Sequence, residues 1–447
     1  MLYYLDPFGC AKNQVDAENM MAYLNSAGWS SASDAADAAL VIVNSCGFIE
    51  SAKQESINAV LGWRKLYPGK KILLAGCLAQ RYAKELAEAL PEADGFFGTE
   101  DITKITDAVN SLAGTPAPEP RSPFPVPRSL FPVPCSARPL LSLPGSAYVK
   151  ISEGCNNRCS YCAIPLIRGP LRCRTAADIT DECKGLLARG IKELCIIGQD
   201  IGSYRSEGAG LPELLGSIAK IPGNFWVRLL YMHPDHFPMA VLDIMEKDPR
   251  FLSYFDIPFQ HGSQKILSAM NRTGGAESYI ALAETIRKRL PTAVIRTTFL
   301  VGFPGETEDD FALLADFQEK LRADWAGCFA YSREEDTLAY SMKPQVSPKT
   351  KVRRKREIEE RQVQITEKSM DRFVGQTLDA LFEERFGGNE TEAGLIWLGR
   401  LYCHAPEVDG AAVIAGTAPE TEPKAGDLLS CRVIARRGLD LEVALLS

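Results

Sequence analysis

The sequence predicts an α/β protein in three parts: an N-terminal doubly wound parallel α/β domain, a central open, partial (β/α)6 barrel, and a small C-terminal antiparallel β-barrel. Three observations predict it. Apolar strands alternate with amphipathic helices over residues 1–113 and again over 147–371. A proline-dense linker, 114–146, separates the two runs. From 372 to 447 the pattern changes to short apolar runs between turn residues. At 447 residues, 46% hydrophobic and 24% charged, the chain has the composition of a globular protein of several domains. No apolar run reaches membrane-spanning length. Residues Met1–Phe8 lack the basic start of a secretory signal, so a cytoplasmic location and no membrane partner are expected. A formal net charge of −7 argues against a broad nucleic-acid surface and leaves room for a local basic groove.

The first run reads as four strand–helix units: Leu2–Phe8 with Gln14–Ser26, Ala39–Asn44 with Ser51–Tyr67, Lys71–Ala75 with Gln80–Leu90, and Gly95–Gly98 with Asp101–Leu112. Such units imply a parallel sheet covered on both faces, with right-handed crossovers. Cys10, Cys46 and Cys77 each fall just past a strand. The C-terminal ends of strands lie side by side in an open parallel sheet and form its ligand crevice. The three cysteines either fill strand ends as small residues or hold a three-ligand iron–sulfur cluster with one open iron. Thirteen cysteines in a reducing compartment favour metal ligands or catalytic thiols over disulfides.

The linker carries Pro116, Pro118, Pro120, Pro123, Pro125, Pro127, Pro132, Pro134, Pro139 and Pro144, a density that prevents helix and favours extended chain. Cys135 within it reads as a bystander thiol.

The second run places strands at Ala147–Ile151, Glu193–Ile197, Trp226–Tyr231, Tyr254–Pro258, Ala293–Val301 and Trp325–Tyr331. Helices follow at Ala176–Ala188, Leu211–Ile221, Met239–Glu246, Gln264–Met270 with Ser278–Leu290, and Glu308–Ala323. Six repeats are too few for a closed eight-fold barrel, and in barrels of this kind chemistry lies at the C-terminal strand ends. After the first strand comes Gly154-Cys155-Asn156-Asn157-Arg158-Cys159-Ser160-Tyr161-Cys162, three cysteines spaced C-x3-C-x2-C. A cubic cluster usually takes four cysteines, and no fourth follows at a matching interval; Cys173 and Cys183 fall in a loop and a helix. A structural zinc site would want a closed set of four ligands, whereas an open position marks a site for chemistry.

The loop Pro165–Arg174, with Arg168, Arg172 and Arg174, reads as exposed and basic, either solvated or facing a carboxylate or phosphate. Lys349–Arg356 opens a helix running to about Met370, in which Lys355/Glu359 and Arg356/Glu360 can pair; a solvated connecting helix fits it better than a nucleic-acid patch. The last part has strands at Thr377–Glu383, Leu395–Tyr402, Ala412–Ala415, Leu428–Ala435 and Asp440–Leu446. Glu383, Glu384, Glu390, Glu392, Glu407, Asp409, Glu420, Glu422 and Asp427 make it acidic. An acidic barrel repels a phosphate backbone and suits a basic protein partner.

The C-x3-C-x2-C loop closely resembles that of the radical S-adenosylmethionine (radical SAM) enzymes. The resemblance implies a [4Fe-4S] cluster on Cys155, Cys159 and Cys162. It further implies S-adenosylmethionine (SAM) on the open iron and its reductive cleavage to a 5′-deoxyadenosyl radical. From their places at or beside strand ends, Tyr161 is a candidate to wall the adenine, Gln199 and Asp200 to bond the ribose or amino-acid part, and Arg296 to pair with a carboxylate, the alternative for each being a structural turn or barrel-core residue. The stretches Gly9-Cys10-Ala11-Lys12-Asn13, Asn44-Ser45-Cys46-Gly47-Phe48-Ile49 and Gly76-Cys77-Leu78-Ala79-Gln80-Arg81-Tyr82 look like the N-terminal domain of the methylthiotransferases. Those are radical SAM enzymes with a second, auxiliary [4Fe-4S] cluster, here on Cys10, Cys46 and Cys77. Asp6-Pro7-Phe8 before the first cysteine and Ser45 before the second depart from the common pattern without touching a ligand. The C-terminal part resembles a TRAM domain. Asp256-Ile257-Pro258-Phe259-Gln260-His261-Gly262, Tyr331–Thr337 and the run after Cys46 resemble the ribosomal-protein branch of the family. That branch implies methylthio insertion at the β-carbon of an aspartate in small-subunit ribosomal protein S-twelve, a basic partner, and an electron-donor protein. The alternatives are the branch acting on transfer-RNA adenosine, which the acidic barrel disfavours, and a non-catalytic iron–sulfur redox-sensing ribosome factor.

Overall fold

The computed structural model describes residues 1–114, 138–386, 396–415 and 423–446. The linker from 115 to 137 with Cys135, and Glu390, Glu392, Glu420 and Glu422, lie outside the described residues.

The N-terminal unit runs β1 (Leu2–Pro7), α1 (Ala11–Ser26), β2 (Ser30–Ser31), β3 (Leu40–Ser45), α2 (Glu50–Leu66), β4 (Lys71–Gly76), α3 (Cys77–Ala89), β5 (Gly95–Phe97) and α4 (Ile105–Ala113). Its sheet is parallel, in the order β2-β1-β3-β4-β5. The central strand β3 is buried along its whole length. Leu40 and Ile42 pack on one face and Val41 and Val43 on the other, which is why it reads as an unbroken apolar run. The sequence reading missed β2, two exposed serines too short to show a period.

The central unit runs β6 (Ser146–Lys150), β7 (Ser152–Glu153), α5 (Ile164–Arg168), β8 (Arg172–Cys173), α6 (Ala176–Ala188), β9 (Glu193–Ile197), β10 (Arg205–Ser206), β11 (Ala209–Gly210), α7 (Leu211–Ile218), β12 (Trp226–Leu229), α8 (Val241–Lys247), β13 (Phe251–Asp256), α9 (Gln264–Ala269), α10 (Ala276–Arg289), β14 (Val294–Val301), α11 (Glu308–Leu321), β15 (Trp325–Ala330) and α12 (Pro348–Met370). Its six long strands form a parallel sheet in chain order, β6-β9-β12-β13-β14-β15. The first and last strands do not pair, so the barrel stays open. Alternation sorts the side chains: Ala147, Val149, Leu194, Ile196, Val227 and Leu229 face the helices, while Tyr148, Cys195, Trp226, Tyr254 and Trp325 face the other way. The expected exposed loop at 165–174 is instead short helix α5 and strand β8, and β8 pairs with β7.

The C-terminal unit is a closed barrel of β16 (Thr377–Phe386), β17 (Ile396–Leu401), β18 (Ala412–Ala415), β19 (Leu428–Arg437) and β20 (Asp440–Leu445), in the order β16-β17-β18-β20-β19. Its pairings are antiparallel apart from the parallel pair β18–β20. It packs against the strand starts of the central sheet. There Glu193 pairs with Arg228 at 2.7 Å and Arg400 at 2.5 Å, and the Trp325 indole donates to the Cys403 carbonyl at 2.8 Å. Two acids counted from sequence as acidic surface are spent in this seam. Glu383 holds Arg400 at 2.7 Å, and buried Asp409 holds Arg296 at 3.3 Å and accepts from the Tyr254 hydroxyl at 2.5 Å. Glu384 and Glu407 remain exposed.

The N-terminal unit covers the opposite, C-terminal strand ends. Glu334, just after β15, takes Lys53 at 3.1 Å and Arg81 at 2.7 Å, and the Ser332 hydroxyl accepts the Glu50 N–H at 3.2 Å.

Candidate active site

Three cysteines meet at one edge of the N-terminal sheet because β1, β3 and β4 are neighbours with their C-terminal ends aligned, Pro7 opposite Asn44 and Ser45 opposite Gly76. Cys10 precedes α1, Cys46 follows β3, and Cys77 is the first residue of α3. Gly76 turns the chain with φ +95°, and a Cβ there would stand 2.7 Å from the Ser45 carbonyl oxygen. Asn13 ties the strand ends together. Its Nδ2 donates to the carbonyls of Phe8 at 2.7 Å and Ser45 at 3.1 Å, and Asn44 donates to its carbonyl at 2.9 Å.

The second set sits in the loop between β7 and α5. Gly154 has φ +75°, and a Cβ there would stand 2.2 Å from the Pro170 carbonyl oxygen, so the loop closes on itself only with glycine. The Cys155 N–H donates to the Gly169 carbonyl at 3.1 Å, the Asn156 side chain accepts the Leu171 N–H at 2.9 Å, and the Ser160 N–H donates to the Met270 carbonyl at 3.1 Å. Asn157 donates to Asp200 at 2.9 Å. Cys173 lies in β8 and Cys183 is buried under α6 among the helix-facing apolar residues, neither beside the loop's three thiols.

The two sets face each other. Cys77 packs with Ala163, the residue after Cys162, and with Ile167 of α5. A buried ionic knot fills the space behind them. Arg168 donates to the Cys77 sulfur at 3.1 Å and pairs with Asp16 and Glu153, each at 2.8 Å. Lys150 binds the same Asp16, and Glu153 at 2.6 Å. Gln199 donates to Glu153 at 3.0 Å. Burial works against the Glu153 carboxylate, but Lys150 and Arg168 outweigh it and hold its carboxyl far below the usual range.

The thiols suit iron. Burial pushes Cys77 and Cys162 up to about 12 and Cys155 up to about 11, whereas at Cys10 the charges of Lys12 and Arg168 outweigh burial and bring the thiol down. Buried thiolates therefore need positive charge beside them, which cluster iron supplies as it displaces the protons. All six are free thiols. Among the described residues no three His, Cys, Asp or Glu side chains converge on a single ion, and a four-iron cluster takes its ligands from wider apart than one ion does.

The residues expected around SAM divide. Tyr161 accepts from Arg272 at 2.9 Å and packs beside Leu300 and Phe303. Gln199 keeps its buried carbonyl oxygen without a partner among the described residues. Asp200 is fully used within the chain. It takes Asn157, the Ser203 hydroxyl at 2.7 Å, the His233 N–H at 3.1 Å and His236 at 2.5 Å, so it supports the cysteine loop. Arg296 pairs with Asp409 and with Asp256 at 3.5 Å, carboxylates of this chain. The arginines of 165–174 also need correction: Arg168 and Arg174 are buried in ion pairs, with Glu153 and Glu182 among their partners, and Arg172 alone of the three is exposed. Lysine and arginine in a coil stretch look solvated until their carboxylates, far off in sequence, are placed. Asp16 and Glu153 were not singled out from sequence, Lys12 and Asn13 entered only within the stretch around Cys10, and Arg168 only as a basic loop residue.

An open parallel barrel carrying a C-x3-C-x2-C loop at its strand ends, under a sheet that presents three more cysteines, defines a radical SAM sulfur-inserting transferase with two [4Fe-4S] clusters. Three family profiles agree: residues 2–98 match "Uncharacterized protein family UPF0004", 149–317 the radical SAM superfamily, and 374–445 the TRAM domain. The chain is 46% identical to a Treponema denticola protein named "Ribosomal protein uS12 methylthiotransferase RimO", over 98% of this chain and 99% of that one. It is 40% identical to a protein of the same name from Natranaerobius thermophilus, over 97% and 96%. It belongs to the RimO family of methylthiotransferases. Among solved structures, the radical SAM methyltransferase TsrM from Kitasatospora setae aligns with a TM-score of 0.54 at 16% identity, covering 73% of this chain and 72% of that one, a likeness of fold. Among the described residues no helix is long and apolar enough to cross a membrane.

Proposed function

We propose that this protein inserts a methylthio group at the β-carbon of an aspartate in ribosomal protein S-twelve, with Cys155, Cys159 and Cys162 holding one [4Fe-4S] cluster and Cys10, Cys46 and Cys77 the other. The observation that carries the reading is the near-full-length identity to relatives named for that reaction, 46% and 40%. When bound, the central cluster with SAM supplies the hydrogen-abstracting radical and the N-terminal cluster supplies the sulfur. The chain's own residues do the rest. Gly154 and Asn157 shape the central loop, Asn13 gathers the N-terminal thiols, and the Glu334 clamp holds one set over the other. Tyr161 and the free oxygen of Gln199 are the SAM contacts we retain; Asp200 and Arg296 act as supports. A ribosomal-protein substrate, the one the relatives' name gives, would put the enzyme in the cytoplasm, with an electron-donor protein as second partner.

The test is an anaerobic competition. The reconstituted enzyme, SAM and a reductant meet S-twelve and unmodified transfer RNA together, and mass spectrometry follows both for an added methylthio group. Gain on the aspartate alone is expected. Gain on the transfer RNA would overturn the substrate assignment.

A further inference from the structure

Lys12 is the second residue of α1, two positions after Cys10, and its side chain reaches the mouth of the central barrel. It is only 9% exposed. Its ammonium lies 3.2 Å from the centroid of the Tyr231 ring, just past β12. Every neighbouring cation is committed. Lys150 holds Asp16 and Glu153; Arg168 holds Asp16, Glu153 and the Cys77 sulfur. Arg272 donates to the Tyr161 hydroxyl and the Pro258 carbonyl, and Arg296 pairs with Asp256 and Asp409. Of these five, Lys12 alone has no oxygen or carboxylate partner among the described residues; an aromatic face is its one direct contact.

Burial works against the Lys12 ammonium, while Tyr231, Cys10 and Asp256 favour its charge without giving it a hydrogen-bonded oxygen, so its N–H groups are left for a carboxylate that arrives. A ring face holds the cation in place while leaving its outward N–H groups free for that carboxylate. Lysine's compact charge suits a single carboxylate. Cys10 and Asp256 are also in its electrostatic surroundings, so the anion it receives sits between the N-terminal thiols and the barrel mouth.

We propose that Lys12 binds the side-chain carboxylate of the substrate residue and thereby selects an acidic residue for modification. This rests on the aspartate reading above. Anchoring the carboxylate places the adjacent β-carbon at the gap between the two cysteine sets.

The test uses the cluster-loaded enzyme and equilibrium binding, by fluorescence anisotropy, of purified S-twelve and of S-twelve carrying asparagine at the target aspartate. The wild type is expected to prefer the aspartate form by about tenfold to a hundredfold. Lys12→Gln should bring the two forms to equal affinity without weakening the asparagine form, and Lys12→Arg should restore most of the preference. A merely structural role would weaken both forms alike. Undiminished preference in Lys12→Gln overturns the inference, as does a loss of SAM affinity with the aspartate preference intact. Should Lys12→Gln fail to hold its clusters, Lys12→Met decides instead: loss of the aspartate preference with an unchanged affinity for SAM supports the proposal, and an unchanged preference overturns it. A wild type that modifies transfer RNA and not S-twelve would fail the parent reading instead.

Discussion

The two cysteine sets are built in opposite ways. The central set is local in sequence: Cys155, Cys159 and Cys162 share one loop, shaped by Gly154 and by the Leu171 N–H donated to Asn156, and that loop is then pinned from a distance by Met270 on Ser160 and Asp200 on Asn157. The N-terminal set is assembled. Cys10, Cys46 and Cys77 come from three units some thirty residues apart, brought together by the order β1-β3-β4 and by Asn13 across the strand ends. A local set depends on its loop, whereas an assembled one depends on the whole sheet and on what clamps that sheet down. Hence the assembled set should be the more sensitive to changes made far from it.

The largest effect tests that division directly. Cys159→Ala should abolish both SAM cleavage and methylthio product. Cys46→Ala should abolish insertion, remove about half of the bound iron, and leave part of the SAM cleavage, read by iron assay and by 5′-deoxyadenosine formation. Continued insertion by a Cys46→Ala protein lacking the N-terminal cluster would end the two-cluster scheme.

Next in size is the clamp. Glu334 is buried between Lys53 and Arg81, and Arg81 also donates to the Gly47 carbonyl at 3.3 Å, beside Cys46. Glu334→Gln removes the buried carboxylate between Lys53 and Arg81, leaving Lys53 with Glu50 at 2.8 Å and Arg81 with the Gly47 and Glu335 carbonyls, and should cost about 2 kcal/mol in urea unfolding. Iron should leave the N-terminal set first while the central set keeps its spectrum. Equal loss from both sets would show that they do not differ in this respect.

The smallest effect is electronic. Arg168 donates to the Cys77 sulfur and touches none of the central three. Positive charge and hydrogen bonds at a ligating sulfur favour the reduced cluster. Arg168→Met should therefore lower the potential of the N-terminal cluster by on the order of 60 mV, about 1.4 kcal/mol for one electron, with the central cluster unmoved in a redox titration followed by electron paramagnetic resonance. A shift of both potentials together would mean the ionic knot of Asp16, Lys150, Glu153 and Arg168 couples the sites.

The same contrast explains what was legible beforehand. The spacing C-x3-C-x2-C reads directly as a site because its ligands are neighbours in sequence. The N-terminal set was legible through placement, each cysteine just past an apolar strand, and the parallel sheet realises that placement. The arginines of 165–174 and the acids of the C-terminal unit misled for one reason. A charged residue looks solvated until its partner is located, and Arg168 finds Asp16, while Asp409 finds Arg296 from 113 residues away.

From sequence alone came the alternation that makes both parallel sheets, the open six-strand barrel, the closing small barrel and the placement of six cysteines just past strands, because period, punctuation and short spacing are local properties of a chain. Only the tertiary structure decided that the N-terminal sheet covers one end of the central strands and the C-terminal barrel the other. It also decided that Arg296 and Asp200 spend their charge inside the fold and that Lys12 rests on the Tyr231 ring without a hydrogen-bonded carboxylate among the described residues. Those outcomes depend on which distant charges become neighbours once water is excluded, and no local pattern in the chain encodes them.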